Sequence, residues 1–206
     1  MTTSSNISTS SGRPGLKTMN RADLTRRLVA KLVNDEAVIG GIGNANFDLW
    51  ASGQRPQNFY MLASMGLAVP ISLGVALAQP KRRVIALEGD GSILMQLSSL
   101  GTIAAVGQKN LVIIIFDNGC FQLTGSQQTL TSYGTDLVTI AKGAGIAQSY
   151  WASDEKNFEA LIDRALKEDG PWFVAAVIDG KSAEGTTERD AIKIRARFMQ
   201  GMGSAE

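Results

Sequence analysis

Apolar residues recur along this chain with more than one period. After Asn20, Leu24, Leu28 and Leu32 fall four apart and Asp23 stands three residues on, which predicts a capped amphipathic helix running to about Asn34. AVIGGIG (37–43) predicts a short buried strand ending in glycines. VIALEGDG (84–91), LVIIIF (111–116) and WFVAAVI (172–178) lack polar alternation, as strands buried on both faces do. Between them SILMQLSSLGTIAAVG (92–107) has helical spacing at Leu94, Leu97, Leu100, Ile103 and Ala104, and further helices are expected around 137–144 and 154–167. GLAVPISLGVALAQ (66–79) is apolar on nearly every side.

Strands alternating with helices of about 10–15 residues imply parallel crossovers, hence an α/β, doubly wound, mainly parallel sheet with helices on both faces. Residues 1–18 are small, polar and broken by Gly-Arg-Pro-Gly, so a disordered tail is expected there. The folded domain is then 19–180, and 181–206 is a polar tail with a surface helix over roughly 187–199 and a frayed end. No internal repeat is visible. At 206 residues and 44% hydrophobic content the chain can bury one sizeable core.

Charge adds little, because 20 Lys+Arg against 19 Asp+Glu leave a net +1 and no reason to expect a nucleic-acid or membrane partner. No apolar run is long enough to span a bilayer, and the N-terminus lacks the order of a signal peptide, so a soluble cytoplasmic protein is expected. The lone Cys120 excludes an internal disulfide or a cysteine-built cluster within this chain. The absence of histidine matters more. Catalysis here needs carboxylates, amides, a cofactor or another chain.

Those groups occur at two strand ends. Gly89-Asp90-Gly91 closes one predicted strand and Asp117-Asn118-Gly119 the next, with one helical crossover between them. Ligands of such sheets bind beyond the carboxyl ends of the strands. The Asp90 carboxylate and the Asn118 amide oxygen are hard ligands of the kind Mg²⁺ takes, and the carbonyl of Cys120 is a candidate third. Mg²⁺ usually shares phosphate oxygens. A helix starting at Ser92 would offer N–H groups to a phosphate, and Gly89 and Gly91 would allow close approach, so a Mg²⁺-bound diphosphate is the expected ligand.

Gly-Asp-Gly, 25 intervening residues and Asp-Asn resemble the diphosphate motif of thiamine-diphosphate enzymes, whose second element is usually Asn-Asn. Asp117 replaces the first Asn, a position that is normally not a ligand. FYMLASMGLAVPISLGVALAQ (59–79) resembles the segment that cradles the aminopyrimidine of that cofactor. The resemblance implies that the turn Ala63-Ser64-Met65 binds the ring: the Ala63 carbonyl accepts from the 4′-amino group, the Met65 N–H donates, and the Met65 side chain wedges the cofactor into its bent shape, unless Met65 is simply core. Asn44, in GIGNAN, matches a polar position near the diphosphate more loosely. FYMLASMG, GDGSILMQLSSL and DNGCFQLTGSQQT look most like the β or C-terminal portion of sulfopyruvate and phosphonopyruvate decarboxylases, over roughly 20–180. Leu67 departs from the His that many relatives carry there.

The resemblance implies the thiamine-diphosphate-binding fold, thiamine diphosphate and Mg²⁺ as cofactors, and a small 2-oxo acid as substrate. The Glu that activates this cofactor lies on a separate pyrimidine-binding domain, which this chain is too short to contain. An α subunit carrying it is therefore expected, in a hetero-oligomer such as α2β2, with the 59–79 face either interface or core. Phe121 and Gln127 would line the substrate end or pack the loop. Glu88 reads as a hydrogen-bonded structural acid, Cys120 as a backbone ligand with an incidental thiol, Trp50, Trp151 and Trp172 as core or interface, and Lys193, Arg195 and Arg197 as a solvated helix face. A two-subunit decarboxylase leads. The β subunit of a 2-oxoacid:ferredoxin oxidoreductase, an acetolactate-synthase-like carboligase and a non-catalytic paralogue stay open.

Overall fold

The computed structural model describes residues 15–33, 35–183 and 185–204. Helix α1 (Arg21–Lys31) starts where expected, because the Asn20 side chain accepts the Asp23 N–H at 2.9 Å. It ends at Lys31; the expected end at Asn34 lies outside the described residues. Strand β1 (Ala37–Gly40) is followed by α2 (Asn44–Ala51), β2 (Asn58–Tyr60), α3 (Ala68–Ala78) and β3 (Val84–Gly89). The chain continues through α4 (Asp90–Leu94), α5 (Ser98–Val106), β4 (Leu111–Asp117), a hairpin of β5 (Cys120–Phe121) and β6 (Gln127–Gln128), α6 (Leu137–Gly143), β7 (Gln148–Ala152), α7 (Glu155–Lys167), β8 (Trp172–Val177) and α8 (Ala191–Gly201).

Six strands form one sheet in the order β2-β1-β3-β4-β8-β7, and each neighbouring pair is parallel. Consecutive residues of β4 serve opposite layers, as strand geometry requires. Val112, Ile114 and Phe116 pack with Leu24, Leu28, Leu49 and Phe158 of α1, α2 and α7. Ile113 and Ile115 pack with Val69, Leu100, Ile103 and Val138 of α3, α5 and α6. With both faces covered, a central strand has no place for a polar side chain unless it lies near the strand's end.

Three expectations are corrected. The single helix over 92–107 is split at Met95–Leu97, where a side chain on Gly66 would press within 2.8 Å of the Ser92 carbonyl and the Gln96 side chain. The strand over 37–43 stops at Gly40, because Gly43 takes a φ of 113° and opens a helix at Asn44. The C-terminal helix is neither wholly solvated nor frayed: Phe198 meets Phe59 edge-on at 5.3 Å, Arg197 lies over Trp50 at 5.6 Å, and Met202 is buried. Lys193 and Arg195 are exposed. At the other end, Lys17 donates its N–H to the Ser153 carbonyl at 2.9 Å and its ammonium to Glu155 at 2.8 Å, so part of the expected tail lies against the domain. The remainder, residues 1–14, lies outside the described residues. No helix among the described residues is long and apolar enough to cross a membrane.

Ile114→Ala in the fully buried β4 should cost about 2–5 kcal/mol. Ile192→Ala, at a position 80% exposed, should change stability by less than about 0.5 kcal/mol. Denaturant melts of the two variants check this contrast.

Candidate functional site

The chain runs from β1 out to β2 at the sheet edge and returns through α3 to β3 on the other side of β1. The loops after β1 and β3 therefore diverge, leaving the crevice in which open α/β sheets bind ligands. One cleft there is lined by Asn44, Met65, Gly89, Asp90, Gly91, Ser92, Asn118, Cys120 and Phe121, together with Arg21, Gln122 and Leu123. Ala63, Ser64 and Gln127 do not line it. Ala63 and Ser64 are exposed in the turn ahead of Met65, where Ser64 has a left-handed φ of 63°. Gln127 folds back on Thr124, donating to its carbonyl at 2.8 Å.

Asp90 is 1% exposed and stands at the start of α4. Its Oδ2 accepts from Thr129 Oγ1 at 2.5 Å and lies 3.0 Å from Thr131 Oγ1, which also reaches Asp117 Oδ1 at 2.8 Å. The two hydroxyls are 2.9 Å apart. Two hydroxyls hold only two protons. With both carboxylates ionised, Thr129 donates to Asp90, and Thr131 places its one proton between Asp90 Oδ2 and Asp117 Oδ1 in a three-centre bond. Burial, and after it the neighbouring Asp117 charge, holds the Asp90 carboxyl above its ordinary range, while the two hydroxyls pull it back.

Asn118 is oriented from the other side. Its Nδ2 donates to Gln122 Oε1 at 3.2 Å, and Gln122 is held in turn by Arg21 Nη1 at 3.4 Å and by the Gly180 carbonyl at 2.5 Å. Arg21 is itself buried against Asp48 at 2.6 Å. With the amide nitrogen engaged, the Asn118 oxygen is the end left to accept, and it takes the Cys120 N–H at 3.1 Å. An sp² oxygen has a second lone pair for a cation. A side chain on Gly91 would run into the Phe121 ring, so the hairpin closes directly over the Gly-Asp-Gly turn only because residue 91 is glycine. Burial raises the Cys120 thiol, with Asp90 and Asp117 adding to the shift, which leaves it a poor nucleophile.

Glu88, outside the cleft lining, is 1% exposed and pushed up to about 7 by burial, while the Gly89 N–H, donating to its Oε2 at 3.2 Å, pulls the other way. It thus stands between the Gly-Asp-Gly turn and the loop after β1. Gly41 must lack a side chain because the Glu88 carboxylate lies on it.

The expected long helix behind the diphosphate is only five residues, Asp90–Leu94, so its dipole is a small contribution. Among the described residues no three His, Cys, Asp or Glu side chains could alone hold a metal. The donors present, one carboxylate and one amide oxygen with a carbonyl nearby, suit an ion that takes its remaining ligands from a phosphate or water. Sequence reasoning missed Arg21, Gln122, Thr129 and Thr131. The alternation Thr129-Leu130-Thr131, which puts two hydroxyls on one side just after the hairpin, is the signal that could have revealed the last two.

Residues 41–176 match the family described as thiamine pyrophosphate enzyme, C-terminal TPP binding domain. The chain is 37% identical to sulfopyruvate decarboxylase subunit beta of Methanocaldococcus jannaschii over 88% of its own length and 96% of that protein's. It is 37% identical to phosphonopyruvate decarboxylase of Streptomyces viridochromogenes over 84% of its length, but spans only 44% of that longer chain. Benzoylformate decarboxylase from Polynucleobacter necessarius shares the fold, with a TM-score of 0.67 at 17% identity over 82% of this chain and 34% of that one.

Two outcomes follow. Asp90→Ala or Asn118→Ala should lower Mg²⁺-dependent binding of thiamine diphosphate at least a hundredfold without unfolding the protein; calorimetry showing parent-like binding in both would refute the assigned ligands. Glu88→Gln should stabilise the metal-free chain at pH 8, by about 3 kcal/mol if the whole shift is expressed. The folded-state pKa of Glu88 is raised, so its ionisation opposes folding as pH rises through 7, and the advantage should vanish below the ordinary carboxylate value near 4.5. Melts of parent and variant across that range measure it.

Proposed function

This chain belongs to the thiamine pyrophosphate enzymes, and from that premise we propose that it is the cofactor-binding subunit of a two-subunit 2-oxoacid decarboxylase that needs Mg²⁺ and a partner carrying a pyrimidine-binding domain. The observation that carries this reading is electrostatic. Asp90 and Asp117 are buried together behind the cleft, Glu88 is buried beside them, and the lining cation Arg21 is already paired with Asp48. A bare diphosphate would be repelled. A divalent cation on Asp90 and Asn118 converts the same wall into a diphosphate receptor.

Thiamine diphosphate, when bound, supplies the nucleophilic carbon and the electron sink that let a 2-oxo acid lose CO₂ and leave as an aldehyde. The residues of this chain bind and orient. Asp90, Asn118 and the Cys120 carbonyl would hold the metal, Gly89 to Ser92 the diphosphate, and Met65 would stand against the ring. Leu123 and Phe121 on the hairpin would exclude water. Asn44, at the start of α2, would face the diphosphate from β1, and Ala63 and Ser64, exposed here, would meet the pyrimidine once a partner covers that turn. Gln127 has no part in this reading.

Among the described residues, the lining contains no carboxylate besides Asp90, which the metal would engage. The acid that activates the cofactor must come from elsewhere. The beta-subunit name of a relative of equal extent supports a separate α subunit, as does the phosphonopyruvate enzyme, whose single chain is more than twice as long as the matched part. We take the assembly to be a hetero-oligomer such as α2β2, and the substrate to be a small 2-oxo acid.

The isolated chain, given thiamine diphosphate and Mg²⁺, should release CO₂ from a panel of 2-oxo acids at near-background rates. Adding the partner should raise the rate by about 10²–10⁴ or more, the usual contribution of positioned acid–base groups. Fast turnover by the isolated chain would refute the two-subunit reading.

A further inference from the structure

The hydroxyls of Thr129 and Thr131 converge on the same oxygen of Asp90, Oδ2, at 2.5 and 3.0 Å, and neither reaches Oδ1. Both threonines are nearly buried, at 2% and 4% exposure, and they come from the far side of the hairpin that closes over Gly91. Thr131 is also tied to Asp117 at 2.8 Å, and the Asp117 oxygen it meets accepts the Gly119 N–H at 3.0 Å. The carboxylate of Asp90 is thus clamped along one edge by groups that cannot move without unmaking the loop. A carboxylate held in this way meets a cation through one oxygen.

We propose that Thr129 and Thr131 set the metal preference of this site: by occupying Asp90 Oδ2 they restrict the carboxylate to single-oxygen coordination through Oδ1, which favours a small octahedral ion such as Mg²⁺ over Ca²⁺. Mg²⁺ demands near-ideal octahedral geometry with short bonds, whereas Ca²⁺ accepts six to eight oxygens and readily takes both oxygens of one carboxylate. Freeing Oδ2 offers that second oxygen. Loss of a threonine hydroxyl should therefore relax discrimination rather than abolish binding. The threonines act through Asp90 and are positioning residues; the inference rests on Asp90 being a ligand.

The test titrates the full chain with Mg²⁺ and with Ca²⁺ in the presence of thiamine diphosphate, by calorimetry. It uses the parent, Thr129→Val, Thr131→Val, Thr129→Ser and Asp90→Ala. The parent should prefer Mg²⁺ over Ca²⁺ by at least tenfold beyond the preference of the free cofactor. Either Val variant should reduce that ratio about tenfold, and Thr129→Ser, which keeps the hydroxyl, should retain it. A ratio unchanged in both Val variants, with Asp90→Ala unable to bind, overturns this inference and leaves the metal site standing. Parent-like binding by Asp90→Ala, or no binding of either cation by the parent, overturns the metal site and the inference together. Should the Val variants not fold, the parent decides: equal affinity for the two ions overturns the proposal.

Discussion

The structure turns on the burial of two carboxylates at adjacent strand ends. Asp90 follows β3 and Asp117 ends β4, at 1% and 0% exposure, in a sheet whose interior strands, Glu88 aside, are lined by Ile, Leu, Val, Ala, Phe, Trp and Gly. Charged groups this deep are costly unless hydrogen-bonded or paired. The loop after β4 meets that cost: it leaves through Asn118, forms the hairpin, and returns with Thr129 and Thr131. Its route is dictated by the acids it must reach. The glycine at 91, the Phe121 ring upon it and the threonine pair behind are one packing solution to a single electrostatic problem.

A second buried acid performs a similar service at longer range. Glu88 lies on Gly41 of the loop after β1 and accepts the Gly89 N–H at 3.2 Å. Two segments that are distant in sequence, the ends of β1 and β3, meet at one side chain. A side chain on Gly66 would meet the Ser92 carbonyl, so the turn before α3 packs closely on the stretch where the helix expected from 92 to 107 breaks. The turn assigned to the pyrimidine is therefore mechanically linked to the turn assigned to the diphosphate. The two ends of one cofactor would then be kept at a fixed spacing by contacts that never touch it.

Much of this was legible in the sequence for a physical reason. Central strands such as LVIIIF are apolar throughout because both faces are covered, and the pattern announces the layer structure directly. The edges were not legible. β2 has three residues and β7, QSYWA, carries polar residues on its open side, so neither shows the buried run of an interior strand. Helix α2, NANFDLWA, was hidden because buried Asn46 and Asp48 break its apolar face, one donating to the Met61 carbonyl and the other pairing with Arg21. At the site, the residues named by motif were within reach of sequence reasoning. Those that hold them in place were not, since Thr129, Gln122 and Arg21 are recognised only by what folding places beside them.

Under the two-subunit reading, the same logic explains why a cofactor site can sit on a chain that does not complete it. On that reading the diphosphate end needs a metal and a rigid turn, and the ends of β3 and β4 would supply the ligands and the turn. On that reading the reactive end needs an acid opposite the Met65 turn, and there the chain offers exposed Leu62, Ala63 and Ser64, with Ile71 and Leu77 also exposed on α3, and no carboxylate besides Asp90 among the described residues that line the cleft. A surface that is apolar beside an unfinished polar site is stable alone only at some cost in solvation, and covering it buries that area while delivering the missing group. Under the two-subunit reading, association and activation are then the same event: the contact that hides α3 from water is also the contact that brings the acid to the ring.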